Sequence, residues 1–171
     1  MIVIGVDPGL TGAVARYCTA SGDTCVEDIP TKLMEWAMLG KRRVDGRALA
    51  HMLRDMAPAS DSFVIAIEAV GIIKGEGNAI QSVGSLCGTV CAILAVADVI
   101  RADVMPCRPA DWKADYGLKR AKGEKAAAWK NRSRIKALEL FPALSDRLKL
   151  KKHADRAEAL LIARWAAERC A

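Results

Sequence analysis

The 171-residue sequence lacks long apolar runs, paired cysteine motifs and any recognisable export segment. None of its apolar stretches reaches the roughly 18 residues that a membrane-spanning helix needs. The first residues, MIVIGVDPG, contain neither the basic segment nor the cleavage site of a signal peptide. We therefore expect a cytoplasmic protein whose cysteines stay reduced.

The six cysteines and two histidines do not form a zinc-binding pattern. The sequence has no CxxC pair, and His51 and His153 are far from Cys87 and Cys91, which lie four residues apart. Structural zinc sites usually draw four ligands from paired motifs. We expect the cysteines to pack in the core as small apolar side chains.

The sequence also lacks linkers, internal repeats and low-complexity tracts, which predicts a single domain over residues 1–171. The predicted strands cover residues 2–7, 12–17, 24–29, 62–68 and 99–105. The predicted helices cover residues 47–56, 78–97, 109–114, 125–141 and 154–169. A loop with several basic residues is predicted at 40–46, and a glycine-rich loop is predicted at 71–77. This order predicts an α/β fold with helices flanking a mixed five-stranded sheet.

Positive charge is concentrated in one segment of the chain. Residues 113–136 contain nine basic and two acidic residues, whereas the whole chain carries a net charge of +6. Trp112, Tyr116 and Trp129 interleave with these bases. Cations that displace counterions, together with flat rings that can stack, are typical of a surface for nucleic acid. The alternative is a solvated helix face.

Two acidic residues end buried strands: Asp7 in IVIGVD and Glu68 in VIAIE. Adjacent parallel strands would bring both to one sheet edge, where two buried carboxylates repel unless a cation lies between them. Asp155 and Glu158, three residues apart on the last helix, can face one point. Such oxygen donors suit Mg²⁺ or Mn²⁺, and two ions about 4 Å apart can hydrolyse a phosphodiester. Alternatively, each acid is a turn or helix-capping residue.

Three motifs resemble the RuvC-type Holliday junction resolvases of the ribonuclease H-like superfamily: IGVDPGLTGA, VIAIEAV and HADRAEALLIA. The linking segments RPADWK and ALELFP also fit, so the likeness spans nearly the whole chain, and it leans toward phage or prophage members. The resemblance implies a ribonuclease H-like fold and a homodimer that cuts two opposed strands of a four-way DNA junction. It implies hydrolysis that leaves a 5′-phosphate and a 3′-hydroxyl, in a bacterium or a bacterial host. The implied catalytic and metal-holding residues, for Mg²⁺ or Mn²⁺ and two ions per site, are Asp7, Glu68, Asp155 and Glu158.

Basic residues are the expected contacts to the DNA. The chain departs from bacterial members after Glu68, where residues 69–74 read AVGIIK and contain no aromatic residue to work at the junction centre. It also has a shorter first-motif turn, and Glu158 stands where those members usually have aspartate. The expected DNA-binding residues are Lys74, Lys113, Lys119, Arg120, Lys122, Lys125, Lys130, Arg132 and Arg134. Among them, Lys119, Arg120 or Lys122 could reach the active site from a flexible stretch after Gly117.

The helix predicted over residues 78–97 has apolar residues on more than one face, which predicts a homodimer through that helix. A helix sandwiched within one chain is the alternative. His153, two residues before Asp155, is a further candidate ligand or proton carrier.

Two other functions account for parts of the sequence. One is a non-catalytic module that binds branched DNA on the same fold, which the presence of all four acids disfavours. The other is an actin-like phosphotransferase, because DPGLT matches the Asp-x-Gly-x-Thr of such nucleotide-binding loops. That enzyme needs a second domain, which 171 residues do not supply.

Overall fold

The computed structural model of the protein describes residues 1–33, 42–57, 63–69 and 78–170. Its strands are β1 (Ile2–Asp7), β2 (Ala13–Cys18), β3 (Thr24–Asp28), β4 (Thr31–Leu33), β5 (Arg42–Val44), β6 (Phe63–Glu68) and β7 (Asp103–Cys107). Its α-helices are α1 (Gly46–Met56), α2 (Asn78–Ile100), α3 (Pro109–Asp115), α4 (Ala126–Leu140), α5 (Ser145–Leu148) and α6 (Ala154–Cys170). Single 3₁₀ turns at Pro142–Leu144 and Lys151–His153 precede α5 and α6.

The main sheet has five strands in the order β3-β2-β1-β6-β7. β1 pairs antiparallel with β2 and parallel with β6, and β6 pairs parallel with β7. β1 is central and its first five residues are nearly all fully buried, which explains why IVIGV is apolar without alternation. The predicted mixed five-stranded sheet flanked by helices is confirmed.

The two faces of the sheet differ in side-chain size. Val3, Ala13, Ala15 and Ala66 point toward a core shared with α6, α4 and α3. The opposite face carries the larger side chains and packs against α1 and α2. Its sheet residues are Ile2, Ile4, Val6, Val14, Ile65 and Ile67. Because small residues line the first face, α6 can approach the sheet closely.

Gly5 marks the closest approach between β1 and α6. A Cβ atom at Gly5 would overlap the carbonyl oxygen of Ala159 and the backbone nitrogen of Ala163. Eleven of the 17 residues of α6 are buried, including seven consecutive residues from Ala157 to Ala163. The helix is therefore a core element, and its position relative to β1 depends on the absence of a side chain at residue 5.

Two predictions about secondary structure are wrong. Residues 42–44 belong to the loop predicted at 40–46, but they form strand β5, which pairs with β4 in a separate two-stranded sheet. The strand predicted over residues 99–105 begins only at Asp103, because α2 continues to Ile100. The turn between them has Arg101 at φ 57° and a bond from the Ala102 N–H to the Ala97 carbonyl. Glycine usually occupies this position of a helix end, and because arginine stands here, the residue type does not indicate that the helix stops.

Cys87 and Cys91, predicted to pack in the core, are exposed on α2, whereas Cys107 is buried. The glycine-rich loop at 71–77 lies outside the described residues. None of the helices described is long and apolar enough to cross a membrane.

Candidate active site

The register of the sheet brings Asp7 and Glu68 to the same edge. Val6 pairs with Ile67, and each is followed by one of the two acids as its strand ends. The turn after β1 is tight: the Gly12 N–H donates to the Gly9 carbonyl at 3.1 Å. A Cβ at Gly12 would overlap the Asp7 carbonyl oxygen, so the turn that follows Asp7 requires glycine.

The first turn of α6 supplies the other two predicted acids. Glu158 is 5% exposed, and the hydroxyl of Ser133 on α4 donates to its Oε1 at 2.9 Å. Asp155, three residues earlier in the chain, accepts a hydrogen bond from the Thr11 hydroxyl at 3.1 Å. Thr11 belongs to the turn between β1 and β2, so this bond joins the start of α6 to the chain segment that follows Asp7.

Three of the predicted acids converge. Asp7, Glu68 and Glu158 each offer a carboxylate oxygen, and these oxygens lie within 4.8 Å of one another. We call these three residues the acid cluster. Within the part of the chain that the structure describes, Asp155 is not a member of this group, although it lies on the same helix turn as Glu158.

A lysine side chain reaches into the acid cluster. The Nζ of Lys113, on α3, lies 3.1 Å from Glu158 Oε2 and 3.6 Å from Glu68 Oε1. Its side chain is only 10% exposed and lies 4.7 Å from the ring centroid of Trp112. Lys113 was predicted to contact DNA with the other basic residues of 113–136, but its side chain is buried and paired with the acids. Lys113 thus lies directly beside the acids, and the prediction that Lys119, Arg120 or Lys122 reaches the active site stays a prediction.

Burial raises the pKa of Glu68 above its usual range. Lys113 opposes this shift, the neighbouring Glu158 adds to it, and a hydrogen bond from Trp112 Nε1 at 3.1 Å opposes it. Concentrated negative charge with one internal cation is the electrostatic character of the cluster. Its oxygen donors are of the kind that hard divalent cations prefer.

Residues 117–125, between α3 and α4, form a segment that we call the basic loop. Lys119, Arg120, Lys122 and Lys125 are exposed there. The predicted flexibility of this stretch is not what the contacts indicate, because Arg132 on α4 donates to the Gly117 carbonyl at 2.7 Å and pairs with Glu124 at 3.0 Å.

Further bonds close the basic loop on itself. Arg120 donates to the Glu124 carbonyl at 2.7 Å, and the Glu124 carboxylate accepts the Ala121 N–H at 3.0 Å. Gly117 and Gly123 take positive φ values of 67° and 82°, which allow the two bends.

The remaining predicted DNA contacts fall in three classes. Arg134 is partly buried and donates to Asn131 Oδ1 and to the Leu148 carbonyl, so it ties α4 to α5. Lys130 lies on α4, where the structure describes its backbone only. Lys74 lies outside the described residues. Arg132, as described above, holds the basic loop.

His153 has a local structural contact. Its Nδ1 accepts the Leu150 N–H at 3.4 Å, in the 3₁₀ turn before α6. Partial burial lowers its pKa, and the nearby cations Arg156 and Lys152 lower it further. Arg156 in turn forms a two-bond ion pair with Asp28, which anchors the start of α6 to the edge strand β3.

Comparison with known proteins finds the same fold in solved structures. RuvC of Thermus thermophilus in complex with a Holliday junction substrate aligns over 99% of this chain and 96% of its own, with a TM-score of 0.53 and 14% identity. The chain has the fold of a RuvC-type resolvase. A second Thermus thermophilus RuvC structure gives a TM-score of 0.50 at 15% identity, covering 99% of this chain and 97% of its own.

The fowlpox virus Holliday junction resolvase shares the RuvC fold too, with a TM-score of 0.51, 17% identity and 99% of both chains aligned. No protein-family model matches the chain. No curated protein shows significant sequence similarity to it. The comparisons therefore show a similarity of fold, at 14–17% sequence identity.

Sequence reasoning missed three residues that contact the acid cluster: Lys113 in its buried position, Trp112 and Ser133. For the first two, the sheet register indicates the edge at which they lie but not the direction of their side chains. Glu68 pairs with Cys107 at the carboxyl end of β7, so a helix that begins at Pro109 lies at the same sheet edge. Ser133 sits on a polar helix, where nothing in the sequence distinguishes it from a solvent-facing serine.

Proposed function

We propose that the protein is a divalent-metal-dependent endonuclease that resolves four-way DNA junctions. The observation that carries this proposal is the convergence of Asp7, Glu68 and Glu158 within 4.8 Å at one edge of a sheet with the RuvC fold. Two of the comparison structures are named as a complex with a Holliday junction substrate and as a Holliday junction resolvase. The position of the acid cluster beside an exposed basic loop fits a DNA strand as substrate.

Asp7, Glu68 and Glu158 would hold Mg²⁺ or Mn²⁺, with Asp155 as the fourth acid. The donor set fits, since it contains carboxylate oxygens only. Two such ions, when bound, lower the pKa of an attacking water and stabilise the leaving oxygen of a phosphodiester.

The chain's own residues position these acids. Ser133 and Lys113 each bond to one oxygen of Glu158, and Trp112 bonds to Glu68. These contacts restrict the rotation of both carboxylates and leave the side chains in fixed directions. Lys113 also keeps a positive charge at the cluster, where a substrate phosphate would bring negative charge.

The exposed cations Lys119, Lys122 and Lys125, with Arg120, would bind DNA phosphates. Contacts of this type position the duplex without reading its sequence. Lys74 and Lys130 remain predicted contacts. Arg132 and Arg134 serve first to hold the protein's own backbone, so any role in DNA binding is secondary.

A homodimer through α2 is part of the proposal. Cys87, Cys91 and Leu94 are exposed on one face of this helix, and Val99 is 71% exposed beyond them. Apolar surface of this kind favours association. Two opposed nicks in a four-way junction need two active sites related by a two-fold axis.

The central test is cleavage of a synthetic four-way junction by the purified protein with Mg²⁺, with both nicks mapped. We expect paired, symmetric nicks with 5′-phosphate and 3′-hydroxyl ends, and no cleavage in EDTA. Cleavage of linear duplex at the same rate would contradict structure selectivity. Junction binding without cleavage in any divalent metal would instead identify a non-catalytic binding module.

The dimer is tested separately by light scattering at micromolar concentration. Introducing two charges on α2, as L94D/V99D, should yield monomers with little paired cleavage. The control I135D places one charge at another exposed apolar residue, 45% exposed on α4, and should leave the dimer intact. A wild-type monomer that makes paired nicks would rule out the dimer.

A further inference from the structure

A cavity of about 390 Å³ opens beside the acid cluster, between the start of α3 and the basic loop. Its volume lies within the range of typical small-ligand pockets. The residues that line it are Pro109, Ala110, Lys113, Lys119, Arg120 and Trp129. Its wall thus combines small apolar groups, one indole ring and three cations, a mixture suited to a ligand that is both flat and anionic.

The indole ring of Trp129 has a fixed orientation. Its Nε1 donates to the Leu118 carbonyl at 2.6 Å, and the residue is partly buried at the start of α4. The Arg120 guanidinium lies 5.8 Å from the ring centroid and is itself held by two bonds to the Glu124 carbonyl. The ring is therefore preorganised, and it lines the cavity together with Lys113 and Arg120, which both lie over it.

Lys113 connects this cavity to the acid cluster. Its Nζ lies 4.5 Å from the Trp129 ring centroid and 3.1 Å from Glu158 Oε2. A single ammonium group therefore borders both sites. Successive nucleotides of a strand rise about 3.4 Å along a duplex, so a strand with one phosphate at the acids has a neighbouring nucleotide within reach of the ring.

We propose that this cavity binds one nucleotide of the cleaved strand, adjacent to the scissile phosphate. The base stacks on Trp129, and Lys119 and Arg120 contact its phosphate. Trp129 is then a positioning residue that fixes where the strand enters the acid cluster. This inference rests on the proposed function and adds to it a subsite that requires an unpaired or unstacked base next to the nick.

The test compares two substitutions of Trp129 on intact junctions and on junctions that contain a single abasic site. W129F keeps an aromatic face and W129L keeps only apolar bulk, while both lose the bond to Leu118. Each variant and the wild type cut a set of junctions in which single abasic sites replace the bases within three positions of the mapped nick. Single-turnover rates are measured, with circular dichroism melting to check that both variants fold.

We expect the wild type to lose about tenfold in rate at one abasic position and little elsewhere, in line with the value of a base–aromatic stack. W129L should lose about tenfold on the intact junction and show no further loss at that position. W129F should retain most of the rate and the wild-type abasic pattern. This interdependence of ring and base is a result that a merely structural tryptophan would not produce.

Two results would overturn the inference while leaving the proposed function standing. In the first, no abasic position lowers the rate of the wild type. In the second, the same abasic position lowers the rates of W129L and the wild type equally. Failure of the wild type to cut any four-way junction would overturn the proposed function itself, and this subsite with it.

Discussion

The acid cluster and the basic loop hold their charges in opposite ways. In the cluster, buried carboxylates are held by groups distant in sequence, such as Ser133 and Lys113 with Glu158. In the basic loop, exposed cations stand on a backbone held by nearby residues, mainly Arg132 and Glu124. The first arrangement depends on the whole fold, whereas the second depends on about fifteen residues. Substitutions in the cluster should therefore change rate and stability, and those in the loop should change binding.

The largest expected effect follows from removing a single charge of the acid cluster. D7N and E68Q should lower the cleavage rate by about 10³-fold or more, because several kcal/mol of metal-dependent stabilisation is lost. Binding of the junction in gel-shift assays should be retained, since neither change removes a cation. Equal loss of binding and cleavage would indicate that these acids do not act through a metal ion.

The second largest effect is expected from replacing Lys113, the cation within the acid cluster. K113M should lower the free energy of unfolding by about 3 kcal/mol, because it leaves the buried carboxylates of Glu68 and Glu158 without the cation that neutralises them. Burial already raises the pKa of Glu68, and a group whose pKa is raised by folding stabilises the folded state as pH falls. The deficit of K113M should therefore shrink at lower pH in denaturant titrations.

The matched control is K122M, which removes a lysine from the exposed loop and should change stability by less than about 0.5 kcal/mol. Equal stability of the two variants at neutral pH would mean that the buried lysine is not needed to neutralise the cluster.

A smaller effect is expected from the residue that holds the basic loop. R132A should cost about 1–2 kcal/mol of stability, since its bonds to the Gly117 carbonyl and Glu124 are lost. Trypsin should then cut faster after Lys119 and Lys122. R132K keeps the charge but lacks the planar fork, so it should resemble R132A; wild-type resistance in R132K would show that charge alone holds the loop.

The smallest expected effect concerns a single phosphate contact. K122A should reduce the slope of log K against log salt by about one, with similar loss of affinity for junctions of different sequence. R54A removes the same charge from α1, on the opposite face of the sheet, and should leave the slope unchanged. Identical slopes for both variants would remove Lys122 from the DNA-binding surface.

The sequence alone was enough to predict that two acids end neighbouring strands and that basic residues concentrate in one segment. Asp7 and Glu68 follow apolar runs, so parallel pairing of β1 with β6 was enough to place them together. It could not show that Lys113 points into the cluster, because one turn of α3 decides between the acids and solvent. The helix end at Arg101 and the small β4–β5 sheet depend on backbone geometry and tertiary contacts that residue type does not encode.

The contact between Gly5 and α6 makes the position of Glu158 depend on a residue of the core. Glu158 sits on the same helix as Ala159, whose carbonyl oxygen a Cβ at residue 5 would overlap. One added methyl group would have to push α6 away from β1, and Glu158 away from Asp7. In a genetic screen for inactive alleles, replacements of this glycine should therefore appear beside those of the acids, although residue 5 carries no functional group.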